Sequence, residues 1–580
     1  MVFRSYLLLV IWMCAVFGSA SDLQAQKLPK VCAELKNACE NAGFVAGKPG
    51  NPGREMMLDC INPLVGGRAS AKSDGLTLPT VSAGALKACG SALDAKGRTN
   101  PAMTTEAATP PQQPIPVAAD GAPRPNFVLV LVDDLSMDLV SAETGVLAAS
   151  MPNLAKMQSE GATFDRFFVT DSLCCPSRTS LFTGLLPHNS GVYTNAPPTG
   201  GYKVFVSNGN DDKTIAVALH DRSYLTSLNG KYLNGYDWRS DPLPPGWSDW
   251  GVASNGYPAF DVEVNENGKM VRHPEHLTDW LSVKGQAFIA NTNGQPFFIE
   301  LAPFSPHAPF LPPARYADSF NGLIYPRTPA FGARPNATAP AWLQSIPALE
   351  SDDIKRIDAV FRARMRADKA IDDMIGDLRA ALDQQGLAQN TYVIFTSDNG
   401  FHLGDYSLRA GKLTPFDTDI HVPLIVVGPG IAAGRHIPEI AMNVDLYPTI
   451  AELAGIPDAA SVDGRSLVAL LNGQPAGSWR TMAVIEHKQA GPDSDDPDAP
   501  PPRAGDPPDY VALRFLDAMY VEYGGPAPEI SYYDLATDPY ELNNIAAKLT
   551  AAELAFLHQA AAANHTCAGA DCLLAQSLRP

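Results

Sequence analysis

The chain is predicted to be an α/β protein whose largely parallel sheet lies between helices, and three observations carry this. Continuous apolar runs at Asn126–Asp134, Thr391–Gly400 and Val422–Val427 have the length of strands buried on both faces, the habit of a parallel sheet. Between the second and first of these, Asp353 to Gln385 carries Ile354, Ile357, Val360, Met365, Ile371, Met374, Ile375, Leu378 and Leu382 at helical spacing and stops at Gly386. Strands that alternate with helices call for crossover connections rather than hairpins. In such sheets ligands bind beyond the carboxyl ends of the strands.

Taken in order, the chain opens on Arg4, an apolar run from Tyr6 to Phe17, and Gly18-Ser19-Ala20. That is the layout of a signal peptide over residues 1–20, too short to span a bilayer once folded. Cys14 follows Met13, which argues against a lipoprotein cleavage site, and no later segment is long enough for a transmembrane anchor. Export to a periplasm or to the exterior is therefore expected. Residues 27–98 read as a small Cys-rich helical module, with helical patterning at Val31–Ala42 and Ala83–Ala95. Residues 99–124, rich in Pro, Ala, Thr and Gln, read as an extended linker. The main domain spans 125–490. An acidic, Pro-rich loop from Gly491 to Asp509 then leads into Tyr510–Tyr523 and Ile530–Leu535, strands of a small C-terminal antiparallel subdomain over 491–580.

Charge and cysteines narrow the chemistry. The 43 Lys and Arg against 62 Asp and Glu leave −19, which excludes a nucleic-acid partner and requires any anion site to be locally cationic. Removal of the signal leaves eight of the nine cysteines. Cys32, Cys39, Cys60 and Cys89 suit disulfides in an oxidising compartment, with three pairings open; zinc is the alternative, but paired CxxC spacings are lacking. Cys567 and Cys572 make a further pair. Cys174 and Cys175 are left over as thiols.

Those two thiols begin the run Cys174-Cys175-Pro176-Ser177-Arg178, which opens a helical stretch ending at Gly184. A thiol at a helix start lies near orphan N–H groups, and Arg178 adds a planar cation one turn on, a setting for a tetrahedral oxyanion. Asp133-Asp134 and Asp398-Asn399 each follow a buried strand and so fall on one sheet edge. Either pair alone reads as an ordinary turn. Together they make an oxygen-rich hard-cation site, favouring Ca²⁺ over Zn²⁺. His307 sits in the Pro-flanked loop Phe304–Phe310, and Lys231 and Lys412 each follow a glycine that permits close backbone approach. Singly, these three read as a structural histidine and solvated lysines.

From Pro125 to about Ala547 the chain resembles the type I sulfatases of the alkaline-phosphatase superfamily. The resemblance rests on Cys174–Arg178 with Leu181–Gly184, on Asp133-Asp134, on Ser397–Gly400, and on Tyr533–Glu541. Within that family it is most similar to N-acetylglucosamine-6-sulfatases and heparan endosulfatases, which share the doubled cysteine, Pro187-His188-Asn189, Gly230–Asn234 and Gly400-Phe401-His402. The resemblance implies an alkaline-phosphatase-like fold with a mixed, largely parallel sheet. It implies that a maturation enzyme oxidises Cys174 to formylglycine (3-oxoalanine), whose hydrated gem-diol is the nucleophile. It implies Ca²⁺ bound by Asp133, Asp134, Asp398 and Asn399 beside residue 174, with Arg178, Lys231 and Lys412 neutralising the sulfate and His307 as general acid. Many arylsulfatases carry Gly-Lys-Trp-His where this chain has Leu233, so the base is expected to be His402, or else His188. The implied substrate is a sulfated carbohydrate of the glucosamine 6-sulfate type, or an aryl sulfate. The rival readings are a phosphonate monoester or phosphodiester hydrolase using the same nucleophile, and a non-catalytic carbohydrate-binding protein with an unmodified Cys174. A sulfate monoester exposes three terminal oxygens where a phosphodiester exposes two, so paired lysines favour sulfate.

Overall fold

The computed structural model describes residues 72–73, 76–77, 124–140, 150–254, 256–456, 461–474, 477–489, 503–524 and 529–579. Packing divides the chain into residues 1–111 and 112–580. In the first unit the described residues are the antiparallel pair Lys72–Ser73 and Leu76–Thr77. The signal peptide, the remainder of the Cys-rich module with its four cysteines, and the linker up to Pro123 lie outside the described residues.

The second unit is built on ten strands: β1 (Asn126–Val132), β2 (Ala162–Phe164), β3 (Leu225–Gly230), β4 (Asp249–Ala253), β5 (Val262–Glu266), β6 (Lys269–His273), β7 (Phe297–Ala302), β8 (Thr391–Ser397), β9 (Leu424–Val427) and β10 (Arg435–Ile437). Their order across the sheet is β10-β2-β9-β8-β1-β7-β3-β4-β5-β6. The central five, β8-β1-β7-β3-β4, are all parallel. Every residue of β1 and β8 is buried, because both sheet faces are covered. On one face Val128, Val130 and Val132 pack with helices α1 (Pro152–Glu160), α3 (Leu277–Ala290) and α4 (Ser351–Gln384) through Leu154, Trp280, Leu281, Ile371 and Met374. On the other, Phe127, Leu129 and Leu131 share a core with α2 (Cys174–Thr183), α5 (Leu446–Leu453) and α6 (Ala551–Thr566). The long helix α4 realises the predicted periodicity; a Glu350–Asp353 capping box starts it and Gly386, at φ +68°, follows its end.

Two expectations are corrected. The run at 422–427 was expected to extend the parallel sheet, but β9 is antiparallel to β8. The connection from β8 stays on one edge of the sheet, so the chain re-enters pointing back. The C-terminal sheet also begins before 491. Met482–His487 (β11) is its first strand, followed by β12 (Tyr510–Phe515), β13 (Ala518–Tyr523) and β14 (Glu529–Asp534), all antiparallel. The acidic segment, of which residues 490–502 lie outside the described residues, thus falls in the chain between β11 and its partner, and the apolar β11 shows no composition break that would mark it off. Cys567 and Cys572 form a disulfide, whereas Cys174 and Cys175 are buried thiols. No helix among the described residues is long and apolar enough to cross a membrane.

Candidate active site

Strand register assembles the site. Ser397 pairs opposite Val132, so Asp398 and Asp133 emerge side by side from β8 and β1. Gly230 pairs opposite Ala302, so Lys231 leaves β3 beside the loop that follows β7. At Gly230, φ is +105° and a Cβ would lie 2.0 Å from the Ala302 carbonyl oxygen; a side chain there would force β3 and β7 apart. The Asp133 N–H donates to the Ser305 carbonyl (3.3 Å) and the Lys231 N–H to that of Ala302 (2.8 Å), fixing three strand ends together.

Helix α2 aims its first residue at this edge. Leu173 is extended (φ −141°, ψ 143°) and the helix begins at Cys174 with all ten residues buried. One donor atom from each of Asp133, Asp134, Cys174 and Asp398 lies within 4.8 Å of the others. Lys412 Nζ donates to Cys174 Sγ (2.8 Å) and to Asp134 Oδ1 (2.8 Å), and Lys231 Nζ to Asp133 Oδ2 (2.7 Å). Arg178 Nε donates to Asp398 Oδ2 (2.8 Å) and its Nη1 to the Lys231 carbonyl (3.3 Å). Three carboxylates and three cations therefore interleave around one thiol. Burial pushes the Asp398 carboxyl up, but Arg178, Lys231 and Lys412 override it and hold it at about 2. For Asp133 burial wins: reinforced by the Asp398 charge, it raises the carboxyl against the pull of Lys231.

The cluster suits a hard cation on an observation of its own. Asn399 Nδ2 donates to Asp134 Oδ1 (2.7 Å) and to the Gly400 carbonyl (2.8 Å), while its Oδ1 is buried with no hydrogen-bond partner. A buried carbonyl oxygen without a donor, on a residue bonded to Asp134, has the character of an oxygen ligand for a metal. Arg178 Nη2 is likewise buried without a partner, a donor suited to an anion. Asp134 lies in the left-handed region at φ +67°, a conformation that costs a non-glycine residue about 1 kcal/mol and is often kept at functional positions.

The histidines separate. His307 turns Nε2 toward Asp134 Oδ2 (3.8 Å), with Nδ1 on the Ala308 carbonyl (2.8 Å) and its ring stacked on Tyr257 at 4.0 Å. His402 is not brought to the cluster. It is fully buried, with Nδ1 2.9 Å from both Asp419 oxygens and Nε2 2.8 Å from the Ala504 carbonyl. With both nitrogens engaged it is a structural residue, which corrects the expectation that it is the base. His188 also lies apart, between Glu486 and the Cys567 carbonyl. Leu233 is buried in the core.

Three contributors were not foreseen. Asn443 Nδ2 donates to Ser177 Oγ (2.8 Å), and Ser177 in turn donates to the Asp398 carbonyl, pinning α2 to β8. Arg364 on α4 donates to the backbone carbonyls of Asp134 and Pro306. Its signal was a charge on the apolar stripe between Phe361 and Met365. Tyr257 carries His307 on its face and Lys231 Nζ 4.9 Å from its ring centre, and its hydroxyl accepts from Asn234 (3.0 Å). No local pattern marks it.

The sulfatase family model matches residues 125–456. An N-acetylglucosamine-6-sulfatase of Capra hircus is 30% identical over 486 residues, covering 78% of this chain and 86% of that one. Among solved structures, one in complex with its substrate D-glucosamine-2-N,6-O-disulfate superposes with a TM-score of 0.64 at 22% identity, covering 75% of this chain and 96% of that one. A phosphonate monoester hydrolase of Agrobacterium radiobacter shares the fold at a TM-score of 0.59 and 22% identity, covering 76% and 96%. The family match and the goat enzyme's likeness span the strand-end cluster built above, and the chain belongs to the sulfatase family of sulfate-ester hydrolases.

Proposed function

We propose that this chain removes sulfate from 6-sulfated glucosamine units, with Cys174 converted to formylglycine and Ca²⁺ held by Asp133, Asp134, Asp398 and Asn399. The observation that carries the reading is the convergence of the Cys174 thiol, three carboxylates and the partnerless Asn399 Oδ1 at one buried point. The sugar assignment rests on the N-acetylglucosamine-6-sulfatase relatives. When present, the two groups would supply Lewis-acid polarisation of sulfate oxygens and a hydrated aldehyde as nucleophile. The chain's own residues do the rest. Lys231, Lys412 and Arg178 bind the sulfate oxygens and neutralise charge in an otherwise acidic protein. Arg178, anchored through Nε, offers Nη2. His307, held by the Ala308 carbonyl and Tyr257, delivers a proton from Nε2 to the leaving sugar oxygen.

The reading extends to the whole chain: residues 1–20 direct export to a periplasm or the exterior, 27–98 form a tethered disulfide module on the 99–124 linker, the α/β domain that begins at 125 and ends before β11 is catalytic, and a maturation enzyme is the obligatory partner. Peptide mass spectrometry across residues 171–178 of protein from its native host tests it. An aldehyde at 174 is expected, and an unmodified thiol overturns the reading. Turnover of N-acetylglucosamine 6-sulfate and 4-nitrophenyl sulfate is expected to exceed that of an aryl phosphodiester; the reverse preference assigns the chain to phosphoester chemistry.

A further inference from the structure

A second set of metal-ligating side chains meets where the turn after α2, strand β11 and the end of α6 pack together. Glu486 on β11 is 1% exposed, and its strand N–H donates to the Thr170 carbonyl (2.9 Å). No lysine or arginine among the described residues is bonded to its carboxylate. Its partners are two imidazoles: His188 Nδ1 lies 2.9 Å from each carboxylate oxygen and His565 Nδ1 lies 2.5 Å from Oε1. The His188 backbone N–H also donates to Oε2 (3.1 Å).

The tautomer decides what these contacts mean. His188 Nε2 lies 2.8 Å from the Cys567 carbonyl, which can only accept, so Nε2 carries the hydrogen. In the neutral ring Nδ1 then points a lone pair at a carboxylate, which is repulsive unless a cation lies between them. Protons can serve, one making an imidazolium of His188 and one on Nδ1 of a neutral His565; a metal ion would take the place of both. One divalent ion satisfies both nitrogens and the carboxylate at once. A ligating histidine that donates its other N–H to a backbone carbonyl is the usual outer arrangement of such centres. That carbonyl is itself fixed, since Asn189 Nδ2 donates to it as well (2.9 Å) and the Cys567–Cys572 disulfide closes the turn that bears it.

We infer that His188, Glu486 and His565 form a binding site for a borderline divalent cation of the Zn²⁺ type, separate from the catalytic cluster. Two imidazole nitrogens and one carboxylate select such an ion over Ca²⁺, which takes oxygen ligands. Glu486 and His565 also border a cavity of about 220 Å³, so the fourth position opens toward space that admits water or a small anion. The ion would staple the turn at Pro187–Ser190, directly after the nucleophile-bearing helix, to the C-terminal helix.

The test uses full-length protein stripped with a chelator, returned to Ca²⁺, and titrated with Zn²⁺, then with Co²⁺ as an optical reporter. Wild type is expected to take up about one equivalent of Zn²⁺ more than His565→Ala, and to show visible Co²⁺ bands that this variant lacks. His565 is on the surface side of a helix, where alanine is well accommodated. Glu486→Gln, an isostere that removes only the charge, is expected to lose the same equivalent. Identical uptake and spectra in all three proteins overturn the inference and leave a proton-held His–Glu–His clamp. Sulfate-ester turnover at the wild-type level in His565→Ala is the expected companion result, and keeps this outcome separate from any failure of the catalytic reading.

Discussion

His307 and His402 occupy loops that leave β7 and β8, the two neighbours of β1, at the same edge of the sheet. His307 spends one nitrogen on a carbonyl of its own loop and directs the other toward the carboxylate cluster, from a position 7% exposed. His402 spends one nitrogen on Asp419 and the other on the Ala504 carbonyl, fully enclosed. His402 follows Asn399 by three residues whereas His307 is far in sequence from every cluster residue, so proximity along the chain points to the wrong ring. What distinguishes them is where the second nitrogen points: only a ring with a nitrogen turned to the reacting groups can pass a proton to them.

Four experiments press on that contrast. Cys174→Ala sets the floor, with turnover of every sulfate ester expected to fall by about 10⁴-fold or more. His307→Ala is expected to lower kcat on a sugar 6-sulfate by about 10³-fold and on 4-nitrophenyl sulfate by about 10-fold or less, because a good leaving group needs little protonation. If both esters drop to the Cys174→Ala floor, His307 is doing more than donating a proton.

His402→Ala is expected to act on stability. It strips the buried Asp419 of its cationic partner, leaving the Thr414 N–H (3.0 Å) and hydroxyl (2.6 Å) as donors. Denaturant unfolding should show a loss of about 3 kcal/mol, with kcat of the folded fraction within about fivefold of wild type. Burial opposes the His402 charge, yet Asp419 prevails and raises its pKa above the ordinary 6.5. The pair's ionic contribution is therefore complete below about pH 6.5 and is lost as pH climbs through the raised value, so the gap between wild type and variant should narrow as pH rises above about 6.5. A collapse of kcat at unchanged stability would return His402 to the mechanism. The smallest effect is expected at Tyr257: Phe, which keeps the stacked ring, should cost about threefold on sugar sulfates, and Leu about tenfold with little change on the aryl ester.

The strands that carry the site were legible because β1 and β8 are continuous apolar runs ending in carboxylates, a pattern that gives both the element and its functional end. Direction was not legible for β9, since an apolar run reads alike whether it is entered from one edge or the other. Boundaries failed at β11, where MAVIEH continues the composition of the main domain and its pairing with β12 spans the acidic insertion. The same division holds in the site. Asp133, Asp134, Lys231, Asp398 and Asn399 follow strands directly, so register alone gathers them. Tyr257, Asn443 and Arg364 reach it only through packing between elements distant in the chain, and His402 was misread because its partners, Asp419 and Ala504, lie 17 and 102 positions away.

The enclosure of α2 also sets a timetable. Cys174 has no exposed surface, and its helix is covered on all sides by a core that draws on the C-terminal sheet and α6. An enzyme that oxidises this thiol cannot reach it in the finished molecule. Under the proposed reading it would have to meet an extended chain, before residues 391–397 have been laid beside 126–132 and before the last helix has docked. On the proposed conversion of Cys174, maturation and folding would compete for the same segment, and a chain that folds early would stay a thiol.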